Sequence, residues 1–231
     1  MNESLLKLLQ RVDTPTVCNA IEVAQGKRGF DRFTKQTMLI SDTRCGAMVG
    51  YAKTAQIAAL EPAQESADVI RERRMAYYRY MSESPFPSVA VLEDIDFPNA
   101  IGAYWGELNT NIHKGFGMSG VVTNGVMRDL DDLPENFPVL AGSIGPSHGF
   151  VHVKTIDQPV SVMGLTVEPG ELIHADRHGA LVIPNEVLPS LETAITTLLA
   201  NEQIVLKATK QDDFDFEAFE KAWAEFERVR T

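Results

Sequence analysis

The chain has 231 residues, 44% of them hydrophobic, and 21 Lys and Arg against 32 Asp and Glu give a formal net charge of −11. That balance excludes general nucleic-acid binding, which works by neutralising phosphates with Lys and Arg, while the apolar share suffices for a sizeable core. No apolar run approaches the ~20 residues of a spanning helix, and the opening Met-Asn-Glu-Ser-Leu-Leu lacks the basic and apolar regions of a secretory signal.

A cytoplasmic protein without membrane partners is therefore expected. Cys18 and Cys45, far apart and in no metal-like spacing, read as reduced structural thiols. In chain order, Leu5, Leu6, Leu8 and Leu9 mark a first helix behind Asn2 or Ser4 as cap. A second helix opens with Thr14 as N-cap and Pro15 at its first position, and ends at Gly26. Residues 27–41 read as loop, and the alternation of Ala47, Val49 and Tyr51 predicts a strand between Cys45 and Ile57. A helical pattern over 64–82 places Val69, Met75, Tyr78 and Met81 inward, and Pro85-Phe86-Pro87 breaks it. Its run Arg71-Glu72-Arg73-Arg74 is a basic exception in an acidic chain and reads as a solvated face.

The apolar run from Ser88 to Glu93 is a buried strand. A helix then opens at Trp105-Gly106-Glu107 and runs to the glycines at 115, 117 and 120. A second buried strand, Gly120 to Thr123, stops at Asn124-Gly125, with Arg128-Asp129 close behind. This β/α succession puts polar residues at a strand's carboxyl end, where ligands bind in open α/β sheets. Short runs at 138–140, 150–153, 160–162, 171–174 and 179–183, separated by Gly and Pro, form a cluster of antiparallel or mixed strands. Beyond Pro184-Asn185 the chain turns helical, with Val187, Leu191, Ile195 and Leu198 on one face. Phe216, Phe219, Trp223 and Phe226 then form an aromatic stripe that packs on the protein's own body or a sister subunit. Residues 1–231 make one α/β domain, with 185–231 a mostly helical C-terminal extension.

A carboxylate beside a guanidinium at a strand's end suits two tasks. Asp129 offers a hard oxygen to Mg²⁺ or Mn²⁺, which keep several waters and take one or two carboxylates. Arg128 offers a bidentate fork for a substrate carboxylate. The helix opening at Trp105 to Asn109 adds free backbone N–H groups, a ready anion site. The bland alternative, in which Asp129, Asp131 and Asp132 form a solvated turn, stands beside it.

Gly106-Glu107-Leu108, a twenty-residue gap after Glu107, and then Arg128-Asp129 with Asp132 resemble the signature of the RraA-like family. Within it they are similar to the class II pyruvate aldolases that act on 4-hydroxy-4-methyl-2-oxoglutarate and 4-carboxy-4-hydroxy-2-oxoadipate. Gly120 to Gly125, Pro169 to Asp176 and Gly179 to Pro184 support the resemblance, which covers roughly residues 10–200. It implies a swivelling β/β/α sandwich with a helical C-terminal tail, assembled as a homotrimer or homohexamer. It implies Asp129 as metal ligand, Arg128 on the bound 2-oxo acid and its enolate, the Leu108 and Asn109 amides on the substrate carboxylate, and Glu107 orienting a proton-transfer water. Asp132, His148 and His178 are further candidates. The implied activity is metal-dependent carbon–carbon lysis of a 2-oxo acid, as aldolase, oxaloacetate decarboxylase or both. The alternative is a non-catalytic regulator of the same fold acting through protein contacts.

Two departures bear on substrate identity. The family's aldolases usually carry Asp where this chain has Glu107, and an apolar residue where it has Asn109. The family's RNase-inhibiting branch lacks the intact Arg-Asp pair, which is present here. No His-x3-His or Cys-His spacing suggests zinc. His152 and His174 read as structural, and Tyr77, Tyr78 and Tyr80 as helix packing and rim.

Overall fold

The computed structural model describes residues 1–83 and 87–230; the expected helix break at Pro85 and Phe86 lies outside them. Two compact units emerge, Met1–Pro15 with Asp31–Asn185, and Thr16–Phe30 with Glu186–Thr231.

The first unit begins with α1 (Glu3–Leu9), capped by Asn2, whose side chain accepts the Leu5 N–H at 2.8 Å. Helix α2 (Thr14–Gln25) starts in this unit. Thr14 is its first residue rather than its cap. The carboxylate of Asp176, from a distant strand, accepts the Thr14 N–H at 2.9 Å. After β1 (Leu39–Ile40), the long β2 (Met48–Ala58) leads into α3 (Ala67–Ser82) and β3 (Ser88–Asp94). Next come β4 (Ala103–Trp105), α4 (Glu107–Gly115), β5 (Val121–Thr123) and β6 (Val126–Met127). The strand-rich stretch supplies β7 (Val139–Ala141), β8 (Ser143–Ile144), β9 (His152–Ile156), β10 (Val160–Val162), β11 (Leu165–Val167), β12 (Leu172–Asp176) and β13 (Gly179–Ile183).

The main sheet runs β1-β7-β5-β3-β2-β12-β13, with β9 also on β2. Strands β2, β3, β5 and β7 are mutually parallel, and their partners β1, β9 and β12 antiparallel. Strand β3 explains its own composition. Val89 and Val91 face a core layer closed by the β10–β11 hairpin, while Ala90 and Leu92 face a layer containing Tyr77 and Met81 of α3 and Trp105 of β4. A parallel strand covered on both faces needs an unbroken apolar run. A small sheet, β4-β6-β8, is parallel throughout.

Helix α3 buries Met81 as expected, with Tyr77 beside it, whereas Val69 and Met75, also expected inward, are exposed. Residues 27–41 hold more order than a loop, with β1 and a bridge from Phe33 to Leu181.

The second unit contains most of α2 with α5 (Leu188–Ala208) and α6 (Phe216–Arg230). Consecutive rings of the aromatic stripe lie 5.4 to 6.0 Å apart, and Phe226 is buried while Phe216 stays 74% exposed. No helix among the described residues is long and apolar enough to cross a membrane.

Candidate active site

Parallel pairing of β4 with β6 builds the site. Ala103 aligns with Val126 and Trp105 with Met127, so the residues that follow each strand, Gly106 and Arg128, come out side by side. The Arg128 N–H donates to the Trp105 carbonyl at 2.8 Å and fixes that register. Gly106 then caps α4 with no side chain of its own. A Cβ there would run into the Asp129 carboxylate and the Arg128 side chain, so the missing side chain lets both reach the helix start.

Asp129 adopts a left-handed conformation, φ 56°, which Asp tolerates better than most residues. Its Oδ2 accepts the Glu107 N–H at 3.1 Å and lies 3.7 Å from an Arg128 Nη1. Both side chains are about a third exposed, so the ion pair itself contributes only about 0–1 kcal/mol. Backbone pairing, more than charge, holds the arrangement. Polar capacity is left unused here. The Arg128 Nε is shielded from solvent with no hydrogen-bond partner, and the Leu108 and Asn109 amides have none among the described residues. Free N–H groups at a helix start, with the positive end of its dipole, form an anion site.

Glu107 and Leu108 are exposed, Leu108 at 75%. The Asn109 side chain is turned inward. Its Oδ1 accepts from the Tyr78 hydroxyl at 3.1 Å and its Nδ2 donates to the Tyr104 carbonyl at 3.0 Å, so its amide N–H is what it offers a ligand. Asp132 is exposed, its N–H bonded to the Asp129 carbonyl. His148 is exposed on the wall of the cleft that contains Arg128, with its Nδ1 2.7 Å from the Gly149 carbonyl. His178 sits apart, in the β12–β13 turn against Asp176 at 3.1 Å, beside the start of β2 rather than the carboxyl ends of the parallel strands.

The cleft has a volume of about 610 Å³, and Arg74 and Tyr78 of α3, Leu108, Asn109, Arg128, His148, Phe150 and His152 help line it. Behind it lies a buried pair that the sequence did not disclose. Tyr77 Oη and His113 Nε2 are 2.7 Å apart, and His113 Nδ1 faces the Asn109 carbonyl at 2.7 Å. A carbonyl only accepts, so Nδ1 carries the proton and Tyr77 donates to Nε2. Burial lowers the His113 pKa to about 4 and raises those of Tyr77, Tyr78 and Tyr104, which keeps this cluster neutral. The pair braces the first turn of α4 from inside; the amphipathic phase of α4 was its sole signal in the sequence.

Among the described residues no group of three His, Cys, Asp or Glu converges in a metal-ligating cluster. The donor at hand is the Asp129 carboxylate, whose Oδ1 has no hydrogen-bond partner among those residues. One hard oxygen suits Mg²⁺ or Mn²⁺, which complete their shells with water and substrate.

Residues 14–182 match the RraA-like family, described as Aldolase/RraA. The chain belongs to this family. Among RraA-like relatives, the “Putative 4-hydroxy-4-methyl-2-oxoglutarate aldolase” of Halalkalibacterium halodurans is 27% identical over 90% of this chain and 84% of its own. Protein DlpA of Legionella pneumophila is 29% identical over 57% of this chain, and the match spans only 20% of DlpA. An uncharacterized protein of Methanocaldococcus jannaschii is 37% identical over 38% of this chain and 44% of its own length. The crystal structure of Streptomyces coelicolor RraAS2, described as an unusual member of the RNase ES inhibitor RraA protein family, superposes with TM-score 0.66 at 22% identity, covering 91% of this chain and 98% of that one. The α/β architecture is thus the RraA-like sandwich, with a helical C-terminal end.

Proposed function

We propose that this RraA-like chain is a divalent-metal-dependent lyase that breaks a carbon–carbon bond of a 2-oxo acid through a pyruvate enolate, as an aldolase, an oxaloacetate decarboxylase or both. The observation that carries the reading is the open start of α4, where Arg128, Asp129 and two unpartnered amides converge. The name of the Halalkalibacterium halodurans relative supports it.

In this reading the Leu108 and Asn109 amides hold the substrate carboxylate at the positive end of the helix dipole. Arg128 lays its permanently charged guanidinium against the 2-oxo oxygen, where negative charge builds as the bond breaks. Asp129 holds Mg²⁺ or Mn²⁺. The metal, when bound, supplies Lewis-acid stabilisation of the enolate. In the aldol cleavage the C3–C4 pair stays on C3 as the enolate, the C4 hydroxyl loses its proton to become a carbonyl, and C3 gains a proton to give pyruvate. With oxaloacetate the departing fragment is carbon dioxide and C3 is protonated in the same way. Glu107, exposed at the first helical position, orients the water that carries these protons. A second copy of the chain covers the apolar rim of Leu108 and Phe150, which are 75% and 56% exposed, in a trimer or hexamer.

The test is pyruvate release from oxaloacetate and from 4-hydroxy-4-methyl-2-oxoglutarate with Mg²⁺, Mn²⁺ or chelator. Chelator-sensitive turnover of either is expected. A folded protein that turns over neither and binds no Mn²⁺ sinks the enzyme reading and favours a regulator acting through protein contacts.

A further inference from the structure

The basic run of α3 divides its members between surroundings. Arg73 pairs with Glu65 at 2.9 Å and reaches the Val153 carbonyl at 3.2 Å, and Arg71 and Arg79 lie on the opposite face with Asp68, Glu72 and Glu83. Ile70, Arg74 and Tyr78, spaced four apart and so on one face, enter the wall of the Arg128 cleft. Arg74 is exposed and makes no ion pair or hydrogen bond among the described residues.

The cleft's arginines differ in their company. In a protein of net charge −11, its described lining holds Arg74 and Arg128 and no Asp or Glu, but Arg128 has the Asp129 carboxylate 3.7 Å away while Arg74 makes no ion pair among the described residues. A cation left without a counter-charge on a concave wall attracts an anion. The cleft's volume of about 610 Å³ is also far more than a three-carbon acid fills, since pockets of roughly 300–1,000 Å³ commonly take drug-sized molecules.

We propose that Arg74 is a specificity-determining residue that binds a second carboxylate, at the far end of a dicarboxylic 2-oxo acid whose reacting end lies at Arg128. The inference rests on the lyase reading of the same cleft. Tyr78, one turn along α3 from Arg74, is held by Asn109 of α4 and lines the same cleft, which ties the two helices that carry the proposed contacts. Because Arg74 is exposed, its pairing with a carboxylate is screened, and the expected effect is up to about fivefold in affinity, equivalent to about 1 kcal/mol.

Two unreactive probes that differ only in that carboxylate decide it: 2-oxoglutarate and 2-oxopentanoate, titrated by calorimetry with Mg²⁺ into the full chain and its Arg74→Gln and Arg128→Gln variants. The wild type is expected to prefer 2-oxoglutarate by about threefold to fivefold. Arg74→Gln abolishes that preference and leaves 2-oxopentanoate binding unchanged, while Arg128→Gln weakens both. A preference that survives Arg74→Gln, or no preference in the wild type, overturns the assignment while leaving the lyase reading intact. Binding of neither probe by the wild type overturns the 2-oxo acid reading, and this inference with it.

Discussion

Two helix starts in this protein meet an aspartate from elsewhere in the chain, and they end differently. At α2, Asp176 accepts the Thr14 N–H through Oδ2 and the His178 N–H through Oδ1, at 2.9 and 2.7 Å. His174, fully buried, faces Thr14 Oγ1 with Nδ1 and donates from Nε2 to the Leu9 carbonyl. Among the described residues, no buried side-chain polar atom of Thr14, His174 or Asp176 lacks a partner. At α4, Asp129 accepts one N–H, and among the described residues the neighbouring Arg128 Nε and two backbone amides go unanswered in a cleft. One geometry serves twice. Closed and dry it fastens the chain, and open to a cleft it leaves donors for a ligand.

The sharpest way to break the comparison is at the open end. Arg128→Ala is expected to lower turnover of a 2-oxo acid by about 10²–10³, the usual cost of a transition-state donor. Thermal unfolding should barely move, because the guanidinium makes only a weak exposed pair. An equal loss of stability would class this start with the closed one. A smaller effect is expected from Gly106→Ala. Its extended backbone, φ −135°, tolerates alanine, but the new methyl displaces Asp129 and Arg128. Turnover should fall about tenfold, with the melting temperature held, since both displaced side chains can swing into solvent.

The closed end should answer in the opposite way. His174→Gln leaves kcat unchanged and lowers stability at pH 8 by about 1–3 kcal/mol, through buried partners left without a mate. Burial lowers the His174 pKa in the folded state. A depressed pKa means the contribution is complete above the unfolded value, about 6.5, and is lost as the pH falls through the folded one. Denaturation curves of wild type and variant should therefore converge on acidification below about pH 6.5. A gap that widens instead would mean that the folded state holds His174 charged.

How much of this was legible in the sequence depended on length and distance. The Arg128-Asp129 pair was visible because the motif is local and its partner, Gly106, announces a helix start. Strand β3 was visible because the apolar run Val89 to Leu92, bounded by polar residues, leaves little choice. Strands β4, β6 and β8, two or three residues each, carry no period to detect, yet their pairing is what sets Arg128 beside Gly106. Met81 was read correctly, but Val69 and Met75 look as apolar as the buried Tyr77, and only the sheet beneath decides which stripe α3 covers. For the same reason the basic run read as a uniform solvated face, whereas Arg74 alone of its arginines lines the cleft. Thr14 was placed one position too early because its N–H partner, Asp176, is 162 residues away and leaves no local signal.

The central claim is that the α4 start is open because it works, with Asp129 as its metal-holding residue. Its most direct test is chelator-sensitive pyruvate release, measured with Mn²⁺ for the wild type and Asp129→Ala side by side. The account predicts turnover in the wild type that chelator abolishes, and no turnover in a variant that remains folded at the assay temperature. Turnover unchanged by the substitution, or by the chelator, would contradict it.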